Sequence, residues 1–145
     1  MDKTRMNRLS TQLARRLGMA PWLADDAGGY HLCIDGHGLR LEPRGVRLVV
    51  RSSLSSVVGQ GASLDQQVLR RLSGMLVAWA AQCPQRLALT PEGELLLEAW
   101  IDLSKGDVDA LEHVLGVQLA LLNVLCTFRR GPTPLIARGA SVWLP

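Results

Sequence analysis

The chain has 145 residues, of which 48% are hydrophobic, 20% charged and 4% aromatic, and its formal net charge is +3. That length fits one domain with a core of its own. Leucine, about one residue in five, makes that core aliphatic, and the six scattered aromatics exclude an aromatic stacking platform for single-stranded nucleic acid.

Met6, Leu9, Leu13 and Leu17 recur at helical spacing. They predict an amphipathic helix over 4–17 with Arg5, Arg8, Arg15 and Arg16 on its outer face, stopped by Gly18 and Pro21. Three runs of period two follow. Tyr30, Leu32 and Ile34 alternate with His31, Cys33 and Asp35. Leu39 and Leu41 alternate with Arg40 and Glu42, and Val46, Leu48 and Val50 with Arg47, Val49 and Arg51. Asp35-Gly36-His37-Gly38 and Pro43-Arg44-Gly45 supply turns, so the region predicts a three-stranded antiparallel meander with one apolar face.

Ser52 to Ala62 reads as a mobile Ser/Gly-rich connector. Ser63 is the expected N-cap of a second helix over 64–82, carrying Leu64, Val68, Leu69, Leu72, Met75, Leu76 and Trp79. Gly74 inside it marks a point of close approach, and Pro84 ends it. Strands are predicted over 85–90 and 94–103, around the turn Thr90-Pro91-Glu92-Gly93. Leu96 and Trp100 fall among charges on the second of these strands, so that face is expected to be partly covered. A long third helix over 108–128 is apolar almost all round between Gly116 and Cys126, as in a helix buried in a large core or against a partner. Pro132, Pro134 and Gly139 make 131–145 an irregular tail with Val142, Trp143 and Leu144 as an anchor. The order is helix, three strands, helix, two strands, helix: a single α+β domain over 1–130, an antiparallel sheet packed by helices.

No run of 18 uncharged apolar residues is present, which predicts no membrane span. The N-terminus lacks the apolar centre of a signal peptide. Cys33, Cys83 and Cys126, odd in number and far apart, fit reduced thiols, and the expected location is the cytoplasm. Charge is segregated: basic to Arg51, acidic from Glu92 to Glu112, basic again from Arg129. Such asymmetry points to complementary surfaces that steer a partner, or simply to a solvated surface of both signs.

No catalytic set emerges. His31, Cys33 and His37 lack the further ligands of a metal site. Cys126 sits among apolar residues that make a thiol inert. Gly59-Gln60-Gly61 lacks the Lys and Ser/Thr of a P-loop. The reading is a non-enzyme with no metal and no cofactor. The acidic strand and helix would repel phosphate, which argues against nucleic acid.

Three local features carry a resemblance. The first helix closes on Leu13-Ala14-Arg15-Arg16-Leu17-Gly18. The strand stretch from His31 to Asp35 runs straight into a turn. The hairpin from Leu87 to Leu97, around Thr90-Pro91-Glu92-Gly93, leads to a long last helix. With the order of elements over about residues 4 to 128, the chain resembles the class I chaperones of bacterial type III secretion systems. The resemblance implies a small dimeric protein that binds the N-terminal region of a secreted substrate and keeps it export-competent without ATP.

It places the dimer interface on the second helix, here Val68, Leu72, Met75, Leu76 and Trp79, which read equally as core. For client binding it points to an extended segment at an open sheet edge. The groove residues would be Leu9, Leu13 and Leu17 with Leu32, Ile34, Leu39 and Leu41, most of which also suit a core. Arg8, Arg15, Arg40 and Arg47 would orient an acidic segment or partner. Many members of the family are acidic, whereas this chain is basic. That makes it most similar to YscB-type subunits, which pair with an acidic SycN-type subunit to escort the gatekeeper of secretion, in the cytoplasm or beside the apparatus at the inner membrane. The alternatives are a homodimeric effector chaperone and a small basic regulatory or nucleic-acid-binding protein.

Overall fold

Alternation of apolar and polar residues turns into one wet and one dry sheet face when the strands pair in register. In the computed structural model, which describes residues 3–59, 65–104 and 108–130, five strands do this. They are β1 (Tyr30–Ile34), β2 (His37–Arg44), β3 (Arg47–Ser53), β4 (Arg86–Leu89) and β5 (Leu95–Asp102). All neighbours are antiparallel, in the order β1-β2-β3-β5-β4. Tyr30 stands opposite Leu41, Leu41 opposite Val50, Val50 opposite Ala99, and Leu48 opposite Ile101. Every one of these residues is buried.

Asp35 and Gly36 both have positive φ, 53° and 81°. They form the two-residue loop closed by the Ile34–His37 pair, the backbone twist a tight hairpin requires.

Among the described residues four helices join the sheet: α1 (Lys3–Arg16), α2 (Ser55–Val58), α3 (Gln66–Trp79) and α4 (Val108–Arg130). Met6, Leu9 and Leu13 of α1, Val57 and Val58 of α2, Leu72 and Leu76 of α3 and seven-residue-spaced Leu111, Gln118 and Leu125 of α4 are buried, and the apolar ones join the inward strand residues in one core. The expected α+β order is present, with one addition. The Ser/Gly-rich connector is not loose over its first part. Ser52 and Ser53 extend β3, and Leu54, Val57 and Val58 enter the core through α2, because three apolar residues within five override the local Ser content. Residues 60–64, Ser63 included, lie outside the described residues. The cap of α3 is instead Asp65, whose carboxylate accepts from the backbone N–H groups of Gln67 and Val68 at 3.0 and 3.2 Å. The expected tail over 131–145 also lies outside the described residues.

Two buried amides tie helix to sheet. Gln118 Nε2 donates to the Leu97 carbonyl (2.9 Å) and to Ser52 Oγ (3.1 Å), and Ser52 and Leu97 are register partners in β3 and β5. Gln85 Nε2 donates to the Val114 carbonyl at 3.2 Å.

Helix α4 is long and apolar enough over Val108–Thr127 to cross a membrane by length and composition. The sequence reading missed this because it looked for a run with no charge at all. Here the side through Leu111, Val114, Leu115, Leu121, Leu122 and Leu125 belongs to the core. The opposite side is not uniformly apolar. It exposes His113, Gly116, Ala120, Asn123 and Val124.

Candidate binding surfaces

The outer face of the sheet carries the arginines of the meander, and carboxylates pair with Arg40, Arg44 and Arg51 among them. Glu42 is the hub, receiving Arg40 and accepting from Arg44 Nη2 and Arg51 Nη1 at 2.8 Å each. Arg51 also donates through Nε to Glu98 on β5 at 2.8 Å, and Arg40 reaches Asp25 at 3.1 Å. Burial works against the charge on Glu42, but hydrogen bonds from Arg40 and Arg44 and the charges of Arg51 and Arg40 outweigh it and hold its pKa below the ordinary value. Asp25 is held low first by the Gly29 backbone N–H and then, against some desolvation, by Arg40. On the same face the Arg47 guanidinium lies 5.8 Å from the centre of the Trp100 ring. Trp100, whose Nε1 also donates to Glu98 Oε1 at 3.2 Å, remains 44% exposed, while Leu96 is half-buried and Val49 between these side chains is fully buried, so this face is partly covered by its own side chains.

The segregation of charge along the sequence is therefore largely satisfied within the chain. Arg16 at the end of α1 pairs with Asp109 and Glu112 at the start of α4, which holds its guanidinium more firmly protonated. Of the arginines expected to steer an acidic partner, Arg40 is engaged in ion pairs, Arg47 stacks on Trp100, and Arg8 and Arg15 stay exposed on α1.

The residues expected to line a client groove do come together, but mostly as core. Leu9, Leu13, Leu32, Leu39 and Leu41 are buried in one cluster. Ile34 is half-buried against it, and Leu17 is 37% exposed. Alternation marks the dry face without telling a groove from a core, which is why sequence reasoning ran them together. An open cleft of about 420 Å³ lies beside them, lined in part by Met6, Asn7, Asp25, Asp26, Tyr30 and Pro43. Its lining mixes apolar and polar side chains, and the Tyr30 hydroxyl donates to Asn7 Oδ1 at 2.6 Å. Only Asp25 to Gly29, a turn signal before β1, hinted at this cleft in the sequence.

Helix α3 splits the expected dimer set. Leu72 and Leu76 are core, while Val68, Met75 and Trp79 are half-buried against it. The outward side shows Gln67, Arg70, Arg71, Gly74, Val77 and Ala78. Val77 is 76% exposed, and Leu89 on the adjoining strand β4 is 63% exposed. A Cβ built on Gly74 would meet nothing within 4 Å, so the close approach expected there is not made by any described residue. No described strand pairs with the outer side of either edge strand, β1 or β4.

Known proteins share this helix-covered antiparallel sheet. Residues 8–125 match the model of the Tir chaperone protein (CesT) family. The chain belongs to that family. It is 39% identical over 121 residues to the chaperone protein YscB of Yersinia enterocolitica, covering 83% of this chain and 88% of the relative. Among solved structures, the ExsC–ExsE complex matches with a TM-score of 0.65 at 22% identity, covering 90% of this chain and 96% of the other. The HopA1–SchA chaperone–effector complex matches with a TM-score of 0.65 at 20% identity, covering 90% and 99%. The resemblance read from the sequence is thus borne out: this is a chaperone with the fold of the class I type III secretion chaperones.

Proposed function

We propose that the chain is one subunit of a heterodimeric chaperone that holds the N-terminal region of a secreted protein, the gatekeeper of secretion, in an export-competent state. The observation that carries the pairing is the outward side of α3. Val77 and Leu89 are large apolar residues left in water, next to the basic Arg70 and Arg71 and an uncovered Gly74. A surface with an apolar centre and arginines at its border fits a partner that presents apolar residues ringed by carboxylates. That chemistry favours an acidic SycN-type subunit over a second copy, whose α3 would bring arginines against arginines.

Client contact is assigned to the region of α1, β1 and β2. The half-exposed Leu17 and Ile34 and the cleft over Met6 and Tyr30 give side-chain pockets, and the exposed Arg8 and Arg15 favour an acidic stretch. The YscB-like sequence supports this reading, as does the chaperone–effector assembly of a structural neighbour.

The deciding experiment expresses the chain alone and together with the acidic subunit from the same bacterium. Co-expression is expected to yield a 1:1 heterodimer and a large gain in soluble protein. Val77→Asp is expected to abolish that gain while leaving the circular dichroism of the chain unchanged. A homogeneous homodimer of the isolated chain by light scattering would overturn the heterodimer in favour of a homodimeric effector chaperone.

A further inference from the structure

Helix α3 is lightly seated. Only Leu72 and Leu76 of its fourteen residues are fully buried, whereas α1, of the same length, buries five. Packing of a buried face is what ordinarily holds a helix in place. Where little is buried, the contacts at the helix ends decide where it sits. At its start α3 is held by the Asp65 cap. At its end the last carbonyls need donors, as at every helix C-terminus. No glycine follows Trp79 to supply the usual left-handed backbone cap. Ala80 keeps helical angles, with φ −59° and ψ −27°, and Pro84 brings no N–H.

A side chain from the next strand fills that role. Arg86, the first residue of β4, turns its guanidinium back on the connection. Nη2 donates to the Ala80 carbonyl at 3.1 Å, and Nη1 to the Cys83 and Gln85 carbonyls at 2.8 and 2.7 Å. The planar fork meets three carbonyls at once, and its charge lies at the helix end where negative partial charge collects. Gln85 fixes the same connection to α4 through the Val114 carbonyl.

The two large exposed apolar residues of this surface stand on either side of the latch. Val77 lies three residues before Ala80 on α3, and Leu89 three residues after Arg86 on β4. They belong to different elements, so whatever joins the end of α3 to the start of β4 sets their relative placement. We infer that Arg86 is the positioning residue of the partner surface: its guanidinium locks the end of α3 to β4 and so holds Val77 and Leu89 in the arrangement that a second subunit meets. This rests on the pairing reading above. Arg86 acts through the backbone it holds, and through its fork more than its charge. A lysine carries the same charge as a point and does not reproduce the fork.

The test compares the full-length chain with Arg86→Lys and Arg86→Ala, alone and in a titration with the acidic subunit followed by light scattering. Without partner, amide hydrogen exchange over residues 77–85 is expected to rise about tenfold in both variants, with β5 unchanged. With partner, both variants are expected to pair about tenfold more weakly than the unaltered chain, through faster dissociation. Pairing by Arg86→Lys equal to that of the unaltered chain overturns the inference and leaves the pairing reading standing, since charge and not placement would then be what this residue supplies. Unchanged exchange over residues 77–85 also overturns it. So does a matched rise in β5, which would mean general destabilisation. Failure of the unaltered chain to pair at all overturns the pairing reading, and the inference with it.

Discussion

Gln118 shows how much one buried side chain can decide. It donates to both sides of the β3–β5 junction, where the chain leaves the sheet for α2 and α3 before returning. Removing the amide strands the Leu97 carbonyl without that donor, a loss of about 1–3 kcal/mol. Gln118→Ala is expected to lower the urea midpoint of the chain accordingly, and Gln118→Glu to lower it more at neutral pH by burying a charge. Glu42 is the corresponding residue on the wet face. Its folded pKa lies below the ordinary value, so its contribution is fully present above the unfolded pKa and is lost as pH falls through the folded one. Urea unfolding at about pH 7 and about pH 4 is expected to show a falling midpoint, and Glu42→Gln is expected to shrink that difference. Neither role was legible in the sequence. Glu42 looked like any charge on an exposed strand face, and Gln118 looked like a polar interruption of an apolar helix.

Elements were read more successfully than their surroundings. Period-two runs located the strands of the meander to within two or three residues, because one buried face forces the alternation. Helix α2 escaped because four residues hold no helical period and its serines mimic a loop. The apolar stripe of α3 was visible, but which residues it hides inside the chain was not. Leu72 and Leu76 are taken by the core, and of the outward residues only Gly74 carried a signal in the sequence, a close approach that no described residue makes. This position supports a sharp prediction. Gly74→Ala fills open space in the middle of a helix and is expected to stabilise the isolated chain by roughly 0.5–1 kcal/mol, measured by urea unfolding. Gly74→Leu is expected to leave the fold intact yet weaken subunit pairing at least tenfold in a titration followed by light scattering, since it thickens the surface at its centre.

At the scale of the whole molecule, opposite charges far apart in sequence meet inside one chain. Arg16 reaches Asp109 and Glu112, and Arg51 reaches Glu98. Ion pairs thus offset much of the sheet's charge, and α1 and α3 add exposed arginines of their own, Arg8 and Arg15 on the one and Arg70 and Arg71 on the other. Association with an acidic subunit is expected to slow as salt rises, and Arg70→Glu to remove most of that salt dependence in stopped-flow mixing, whereas Arg44→Glu on the sheet leaves it in place. The contact between α1 and α4 also has a bearing on how the protein is made. Helix α1 is clamped to α4, 93 and 96 residues later. During synthesis its leucine stripe cannot be fully covered until α4 has been made. Until that long-range closure the nascent chain is a client in its own right, with a greasy helix to shelter.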